Sequence, residues 1–157
     1  MRVEFKHLLY NSIKNNKKIK VITADLGYKM WDDIKTDFPD NFINVGASEQ
    51  LMLGICVGLS YEGYIPIAYS ITPFLLYRGF EIIRNYLHKE RANVKLVGSG
   101  MYDDYKHDGF SHHDFTAEKI MNILDIKCYL PNNKEDLISL YNGWLNEETP
   151  SFLGLRR

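Results

Sequence analysis

Glu49 is the first residue whose position in the sequence suggests chemistry. A short apolar strand end (42–45) leads into Gly46-Ala47-Ser48, and a helix then begins at Glu49. An acid in the first turn of a helix commonly does no more than offset the unsatisfied N–H groups and the positive end of the helix dipole. The alternative is a working acid, which takes up and donates a proton.

The helix that follows Glu49 favours the working acid. Its apolar residues cover all sides, which predicts a helix enclosed by the rest of the domain; they are Leu51, Met52, Leu53, Ile55, Cys56, Val57 and Leu59. Burial at the mouth of such an element disfavours the charged form of a carboxyl group, and active sites need acids of this kind. Gly54 and Gly58 share one face and would let another backbone approach closely, inside the domain or across a two-fold axis.

The second candidate is the loop from Met101 to Asp114, the most polar part of the chain. It contains three histidines and four aspartates and follows a predicted strand, a common position for binding and catalytic side chains. A solvated surface loop is one alternative. A metal site built from His107, His112, His113 and Asp114 is another, although their spacing matches no known zinc or iron pattern.

Asp25 and an aromatic stripe complete the candidates. Asp25 follows an apolar strand, and ligands of open α/β sheets bind at the carboxyl ends of strands. Turn chemistry is the alternative for an aspartate at that position. Phe74 and Tyr77 recur at helical spacing, for which core packing is the usual explanation.

Alternating helices and strands would position these residues. The strands are continuous apolar runs, which indicates a parallel sheet covered on both faces. We therefore predict an α/β fold, a single doubly wound domain with about six strands and helices on both faces. Strands are predicted near 42–45 and at 20–24, 64–69, 93–97, 126–130 and 152–155, and helices at 4–15, 49–61, 72–88, 115–124 and 133–146. Residues 28–41 are predicted to form a connecting loop, with room for a helical turn. Thr72 is predicted to cap its helix, with Pro73 in the first position.

Composition excludes several classes of protein. The 157 residues suit one domain, and a formal net charge of -1 indicates neither a nucleic-acid partner nor an anionic membrane surface. No apolar run is long enough to cross a bilayer, and the first residues have no signal-peptide pattern. Cys56 and Cys128 sit in apolar stretches, as reduced core cysteines do. We expect a cytoplasmic protein.

The order of the motifs is more specific than any one of them. ADLGY is followed by FINVGASEQ, a glycine-spaced helix, EGYIPIAYSITPF, FEIIRN, DGFSHHD and PSFLGLRR. This series resembles the central, pyrimidine-binding domain of transketolases over essentially all 157 residues. The resemblance is most specific at Gly46 to Gln50 and at Asp108 to His112.

The resemblance implies that the cofactor is thiamin diphosphate and that Glu49 contacts N1′ of its aminopyrimidine ring, which activates it. Phe74 would stack on that ring, with Tyr77 and Ile71 completing the pocket and Asp25 as a further cofactor contact. Ile71 stands where the family usually has an aromatic residue. The cofactor supplies the electron sink, and the protein positions and tunes it.

The resemblance also implies a sugar site. His112, the second catalytic candidate, would contact the carbonyl or terminal hydroxyl group of the substrate, and Asp108 a neighbouring hydroxyl group. Arg157 and Arg2 match arginines that bind the sugar phosphate, a role suited to paired charge-assisted hydrogen bonds; a mobile terminus is the alternative for Arg2. A loop histidine of transketolases is absent around Gly100, which allows for a sugar other than the ordinary pentose phosphates.

Two parts of the family architecture have no counterpart in the sequence. There is no Gly-Asp-Gly motif of the domain that holds the diphosphate through Mg²⁺ or Ca²⁺, and no third, C-terminal domain. We expect residues 1–157 to be one subunit of a split transketolase-like enzyme that moves a two-carbon ketol unit between sugars or sugar phosphates. A diphosphate-binding chain would complete an α2β2 assembly, with Gly54 and Gly58 at the contact between like chains. Two other functions stay open: the pyrimidine-binding subunit of a 2-oxo acid decarboxylase or dehydrogenase, and a non-catalytic α/β interaction module.

Overall fold

The computed structural model describes residues 1–157 and contains one sheet of six strands, all parallel. The strands are β1 (Ile19–Thr23), β2 (Phe42–Asn44), β3 (Ile65–Ile71), β4 (Lys95–Ser99), β5 (Lys127–Tyr129) and β6 (Ser151–Leu155). Their order is β2-β1-β3-β4-β6-β5, so the chain changes direction between β1 and β3. The predicted doubly wound α/β domain with a parallel sheet is confirmed, and ligands of such sheets bind where the order reverses.

Six α-helices and several short helical turns cover the sheet. The α-helices are α1 (Arg2–Asn15), α2 (Asp32–Asp37), α3 (Glu49–Tyr61), α4 (Phe80–Ile82), α5 (Ala117–Ile123) and α6 (Lys134–Leu145). π-helical turns, Phe74–Arg78 and Ile83–Lys89, flank α4, and 3₁₀ turns lie at Pro39–Asn41, Lys106–Asp108 and Phe110–His112. No helix is of the length and apolar character needed to span a membrane.

The strand residues alternate between two cores, one on each face of the sheet. On one face Ile22, Ala68, Leu96 and Phe152 pack with α3, the helical segment 74–89 and α5. On the other, Val21, Ile67, Val97 and Leu153 pack with α1, α2 and α6. Because both faces are covered, apolar residues predominate in the strands and occupy both faces of the sheet, as the sequence pattern predicts.

Helix α3 is enclosed on one side only. Met52 and Cys56 are fully buried, whereas Leu51 is 52% exposed and Gly54 and Gly58 lie at the surface. The prediction of a helix enclosed on all sides is therefore wrong for the single chain. The apolar pattern of the helix is not explained by contacts within this domain.

Thr72 also differs from the prediction. β3 continues to Ile71, which pairs with Ser99 of β4, and this register brings the buried Thr72 against the end of β4. Its hydroxyl donates to the Gly100 carbonyl at 2.5 Å, and no side chain caps the helical segment after it. That segment is largely π-helical, a form that is frequent at functional sites. In the connecting segment 28–41 the helical structure consists of α2 and a 3₁₀ turn.

Gly98 in β4 allows this packing, and replacing it tests the arrangement. A Cβ atom at Gly98 would lie 2.5 Å from the Thr72 hydroxyl oxygen and 2.8 Å from the Phe152 ring. We expect Gly98→Ala to lower the free energy of unfolding by about 1–3 kcal/mol, because overpacking forces strained side chains or backbone shifts. Urea denaturation measures the change.

Gly143 in α6 is the matched control, since a Cβ atom there would meet nothing within 4 Å. Gly143→Ala should raise the free energy of unfolding by about 0.5–1 kcal/mol, because alanine loses less backbone entropy in a helix. Equal effects of the two substitutions would contradict the packing described around Thr72.

Candidate functional site

The structure places Glu49 in the first turn of α3 with its side chain only 2% exposed. The Ser70 hydroxyl donates to Oε1 at 3.1 Å, and Nη1 of Arg78 donates to Oε1 at 3.1 Å and Oε2 at 2.9 Å. The buried carboxylate thus accepts hydrogen bonds from two other elements, β3 and the π-helical turn. We call Glu49, Ser70, Phe74 and Arg78 the Glu49 recess.

Two features of the preceding turn aim Glu49 into the recess. Gly46 has φ = 75°, a conformation that suits glycine, and it turns the chain from β2 into α3. The Asn44 side-chain oxygen accepts from the Gly46 N–H at 3.1 Å and the Asp25 N–H at 2.9 Å, which ties this turn to the end of β1.

Arg78 is the residue that sequence reasoning missed in this recess. The sequence predicts a buried acid at Glu49, but it does not predict the guanidinium group that pairs with that acid at 2.9 Å. Arg78 is four residues after Phe74, a spacing that places two side chains on the same side of a helix. That spacing is the signal that could have identified it.

Phe74 forms the flat wall of the recess. Cζ of Arg78 lies 3.8 Å from the centroid of the Phe74 ring, within the range of a cation–π contact. The His112 ring packs edge-on against Phe74, with 4.8 Å between centroids and 65° between planes. An open cavity of about 490 Å³ lies beside Glu49 and Arg78 and is also lined by Tyr77.

Tyr77 and Ile71, both predicted in the cofactor pocket, line different cavities. The Tyr77 hydroxyl donates to Oδ1 of Asp114 at 3.2 Å and also hydrogen-bonds Thr116, so it joins the π-helical turn to the end of the polar loop. Burial raises the pKa of Tyr77. Ile71, predicted beside Phe74, instead lines a separate cavity on the α1 side of the sheet. The physical reason is strand parity: Ser70 points to Glu49, so the next residue of β3 points to the opposite face.

The polar loop brings His112 to the recess but not Asp108. An antiparallel bridge between Tyr102 and Asp114 closes the loop, with N–H to carbonyl distances of 2.8 and 3.0 Å in the two directions. Asp108 is exposed in a 3₁₀ turn. No cluster of three or more His, Cys, Asp or Glu side chains could hold a metal ion, so His107, His112, His113 and Asp114 do not converge as one.

Arg2 and Arg157, 155 positions apart in sequence, meet at Tyr105. Nη1 of Arg2 donates to the Tyr105 hydroxyl at 3.0 Å, and Cζ of Arg157 lies 5.2 Å from the Tyr105 ring centroid. The same hydroxyl is 3.0 Å from the Ser99 hydroxyl at the end of β4. Arg2, Ser99 and Tyr105 line a cavity of about 330 Å³. The sequence does not single out Tyr105, since nothing in the loop pattern separates it from a solvated tyrosine.

His112 lies between the Glu49 recess and the two arginines. Its ring packs against Phe74 of the recess, and its ring centroid is 6.4 Å from that of Tyr105, which both arginines contact. Asp25 lies apart from this connection. It has φ = 56°, its carboxylate accepts from the Asn44 amide at 3.2 Å, and it lines a shallow cavity with Tyr28 and Trp31. These contacts fit the turn role that the sequence left open for Asp25.

Comparison with known proteins supports the family resemblance. A family model described as transketolase, pyrimidine binding domain matches residues 1–157. The chain is 34% identical over 113 residues to a putative transketolase C-terminal section of Methanocaldococcus jannaschii. The matched region covers 71% of this chain and 36% of that protein. It is 26% identical over 148 residues to a subunit of the apulose-4-phosphate transketolase of Actinobacillus succinogenes, covering 92% and 47% of the two chains.

A solved structure described as a split gene transketolase, inactive beta4 tetramer, superposes with a TM-score of 0.85 at 28% sequence identity. The match covers 98% of this chain and 50% of that chain, so the chain spans half or less of the length of these three relatives. Because the family model matches all 157 residues, the chain belongs to the family of transketolase pyrimidine-binding domains.

Proposed function

We propose that this chain is a subunit of a split, thiamin diphosphate-dependent, transketolase-like transferase that moves a two-carbon ketol unit between sugars or sugar phosphates. The observation that carries the proposal is the Glu49 recess, where the guanidinium group of Arg78 contacts both a carboxyl group that is 2% exposed and the face of Phe74. In this family such a pair would hold the aminopyrimidine ring. Glu49 would contact N1′, and Phe74 would stack on the ring.

The residues of the recess fit a flat, nitrogen-bearing ring. The Arg78 guanidinium, a planar group with N–H donors at its edge, already stacks on Phe74 at 3.8 Å and donates to both oxygens of Glu49. A planar group can therefore use the aromatic face and the carboxyl group together. When bound, the cofactor would supply the electron sink for breaking and forming the bond beside the sugar carbonyl.

Each residue of the recess has a role that follows from its contacts. Ser70, fully buried in β3, holds the Glu49 carboxyl group by its 3.1 Å hydrogen bond. Glu49 would exchange a proton with the ring nitrogen, and its burial would keep water from competing for that proton. His112, edge-on to Phe74, would reach the sugar hydroxyl or carbonyl group. Asp108 is exposed in the same loop and would contact a neighbouring sugar hydroxyl group only if the loop moved toward the recess.

Arg2 and Arg157 would bind the anionic group of a sugar phosphate. Both contact Tyr105, and the cavity between Arg2, Ser99 and Tyr105 lies at the carboxyl end of the sheet, next to His112. Guanidinium groups bind phosphate by paired charge-assisted hydrogen bonds. The distance between this cavity and the recess would be bridged by the sugar.

A partner chain would supply the rest of the site. One relative is named as a transketolase subunit and another as a C-terminal section of transketolase, and this chain has no side-chain cluster of its own for the metal. We propose that a diphosphate-binding chain provides the metal and that like chains associate through the exposed face of α3, giving α2β2. Leu51, Gly54 and Gly58 are exposed on that face and the half-buried Ile55 borders it, all at helical spacing.

Glu49→Gln tests the proton role. In the complex reconstituted with the diphosphate-binding chain, kcat with a ketose donor should fall by about 10²–10⁴, because the amide cannot exchange the proton. Glu62→Gln, at the exposed C-terminal end of α3, is the control and should keep full activity. Unchanged activity of Glu49→Gln would establish a non-catalytic module, and turnover of pyruvate but not ketoses would establish the 2-oxo acid alternative.

Arg157→Ala and Arg2→Ala test the anion site. Each should raise KM for a phosphorylated ketose by about ten- to hundredfold, the usual cost of a lost hydrogen bond to a charged group. KM for an unphosphorylated ketose should stay the same. Arg91→Ala, which removes an arginine paired with Asp125 at 3.4 Å, should change neither value. An equal increase in KM for the phosphorylated and the unphosphorylated ketose would contradict a phosphate-binding role.

Gly54→Glu tests the contact between like chains. A side chain at Gly54 meets nothing within 4 Å in the single chain, so the variant should fold normally but lose self-association through α3. Gly143→Glu, on the equally open face of α6, should leave association unchanged. Sedimentation velocity measures both, and equal association of the two variants would place the contact elsewhere.

A further inference from the structure

Arg78 fills the recess that the proposed function assigns to the cofactor ring. Its guanidinium covers Phe74 with 3.8 Å between Cζ and the ring centroid, and Nη1 donates to both carboxylate oxygens of Glu49 at 3.1 and 2.9 Å. The Arg78 side chain is 49% exposed, whereas Glu49 is 2% exposed. The arginine therefore closes the recess from the solvent side.

The guanidinium group shares its relevant features with an aminopyrimidine. Both are planar, both stack on aromatic faces, and both present nitrogen atoms at an edge where a carboxyl group can reach them. A second planar group cannot contact Glu49 and this face of Phe74 while Arg78 does so. Occupancy of the recess by Arg78 and by a ring is therefore mutually exclusive.

We propose that Arg78 is an internal competitor, which occupies the recess in the free chain and is displaced by the aminopyrimidine ring. This inference rests on the proposed function, because it takes that ring as the ligand of the recess. The exposed half of the side chain faces open space at the mouth of the 490 Å³ cavity, so the arginine can move outward without disturbing the core.

The displacement also changes which partners Glu49 has. With Arg78 in place, both oxygens of Glu49 accept hydrogen bonds from the guanidinium group, and Oε1 also accepts from Ser70. When the guanidinium leaves, only the Ser70 hydrogen bond remains, so the carboxyl group has room for a ring nitrogen. Arg78 thus blocks the contact between Glu49 and a ring until the ring displaces it.

The test measures binding of the ring fragment 4-amino-2-methylpyrimidine to the full chain by NMR titration. The apparent dissociation constant rises with the fraction of chains in which Arg78 occupies the recess. Arg78→Ala should bind the fragment about tenfold more tightly than the wild type, as expected if the arginine fills the recess in about nine of ten chains. Arg84→Ala removes an exposed arginine of the same helical segment that contacts Asn85, and it should leave binding unchanged.

A second measurement uses methylguanidinium as a free replacement for the missing side chain. It should bind Arg78→Ala, compete there with the ring fragment, and fail to bind the wild type. Arg78→Gln, which keeps an N–H donor but cannot stack as a guanidinium does, should also bind the ring more tightly than the wild type. This variant serves if Arg78→Ala does not fold.

Two further substitutions separate this inference from the proposed function. In the Arg78→Ala background, Phe74→Ala and Glu49→Gln should each weaken ring binding about tenfold or more, since each removes a ring contact. Unchanged binding in both would overturn the proposed ring site itself. If both double variants bind the fragment more weakly, but Arg78→Ala binds it no more tightly than the wild type, only the competitor role is overturned. No binding by either the wild type or Arg78→Ala would also overturn it.

Discussion

Burial of the Glu49 carboxylate is the constraint around which this end of the domain is arranged. A carboxylate removed from water needs donors from the protein, and here they come from β3 through Ser70 and from the π-helical turn through Arg78. The turn from β2 into α3 is the third element involved, because it directs Glu49 toward these donors. The start of α3, the end of β3 and the π-helical turn must therefore keep their relative positions for the acid to remain buried and paired.

The candidate site extends over both faces of the sheet edge. Glu49 and Phe74 lie with α3 on one face, and Arg2 of α1 lies on the other. The loop 101–114 passes between them, with His112 against Phe74 and Tyr105 against Arg2. This edge is where the strand order reverses between β1 and β3, a position that leaves a crevice for ligands in doubly wound folds.

Different physical signals explain why some predictions were confirmed and others were wrong. Continuous apolar strands determine a sheet covered on both faces, and that prediction was confirmed. The residues at the ends of strands were less predictable. Thr72 was expected to cap a helix but donates to Gly100, and Ile71 was expected beside Phe74 but faces the other side, because β3 runs further than its apolar pattern indicates.

The local sequence pattern was sufficient to predict three features: the parallel α/β architecture, an acid at the start of an apolar helix at Glu49, and a polar loop after β4. Each depends on residues close together in sequence, where periodicity and turn chemistry act. Arg78 as the counter-charge of Glu49, and Tyr105 as the meeting point of Arg2 and Arg157, were decided only by folding. Those contacts join segments that are far apart along the chain, and their geometry depends on strand register and parity, which no local pattern encodes.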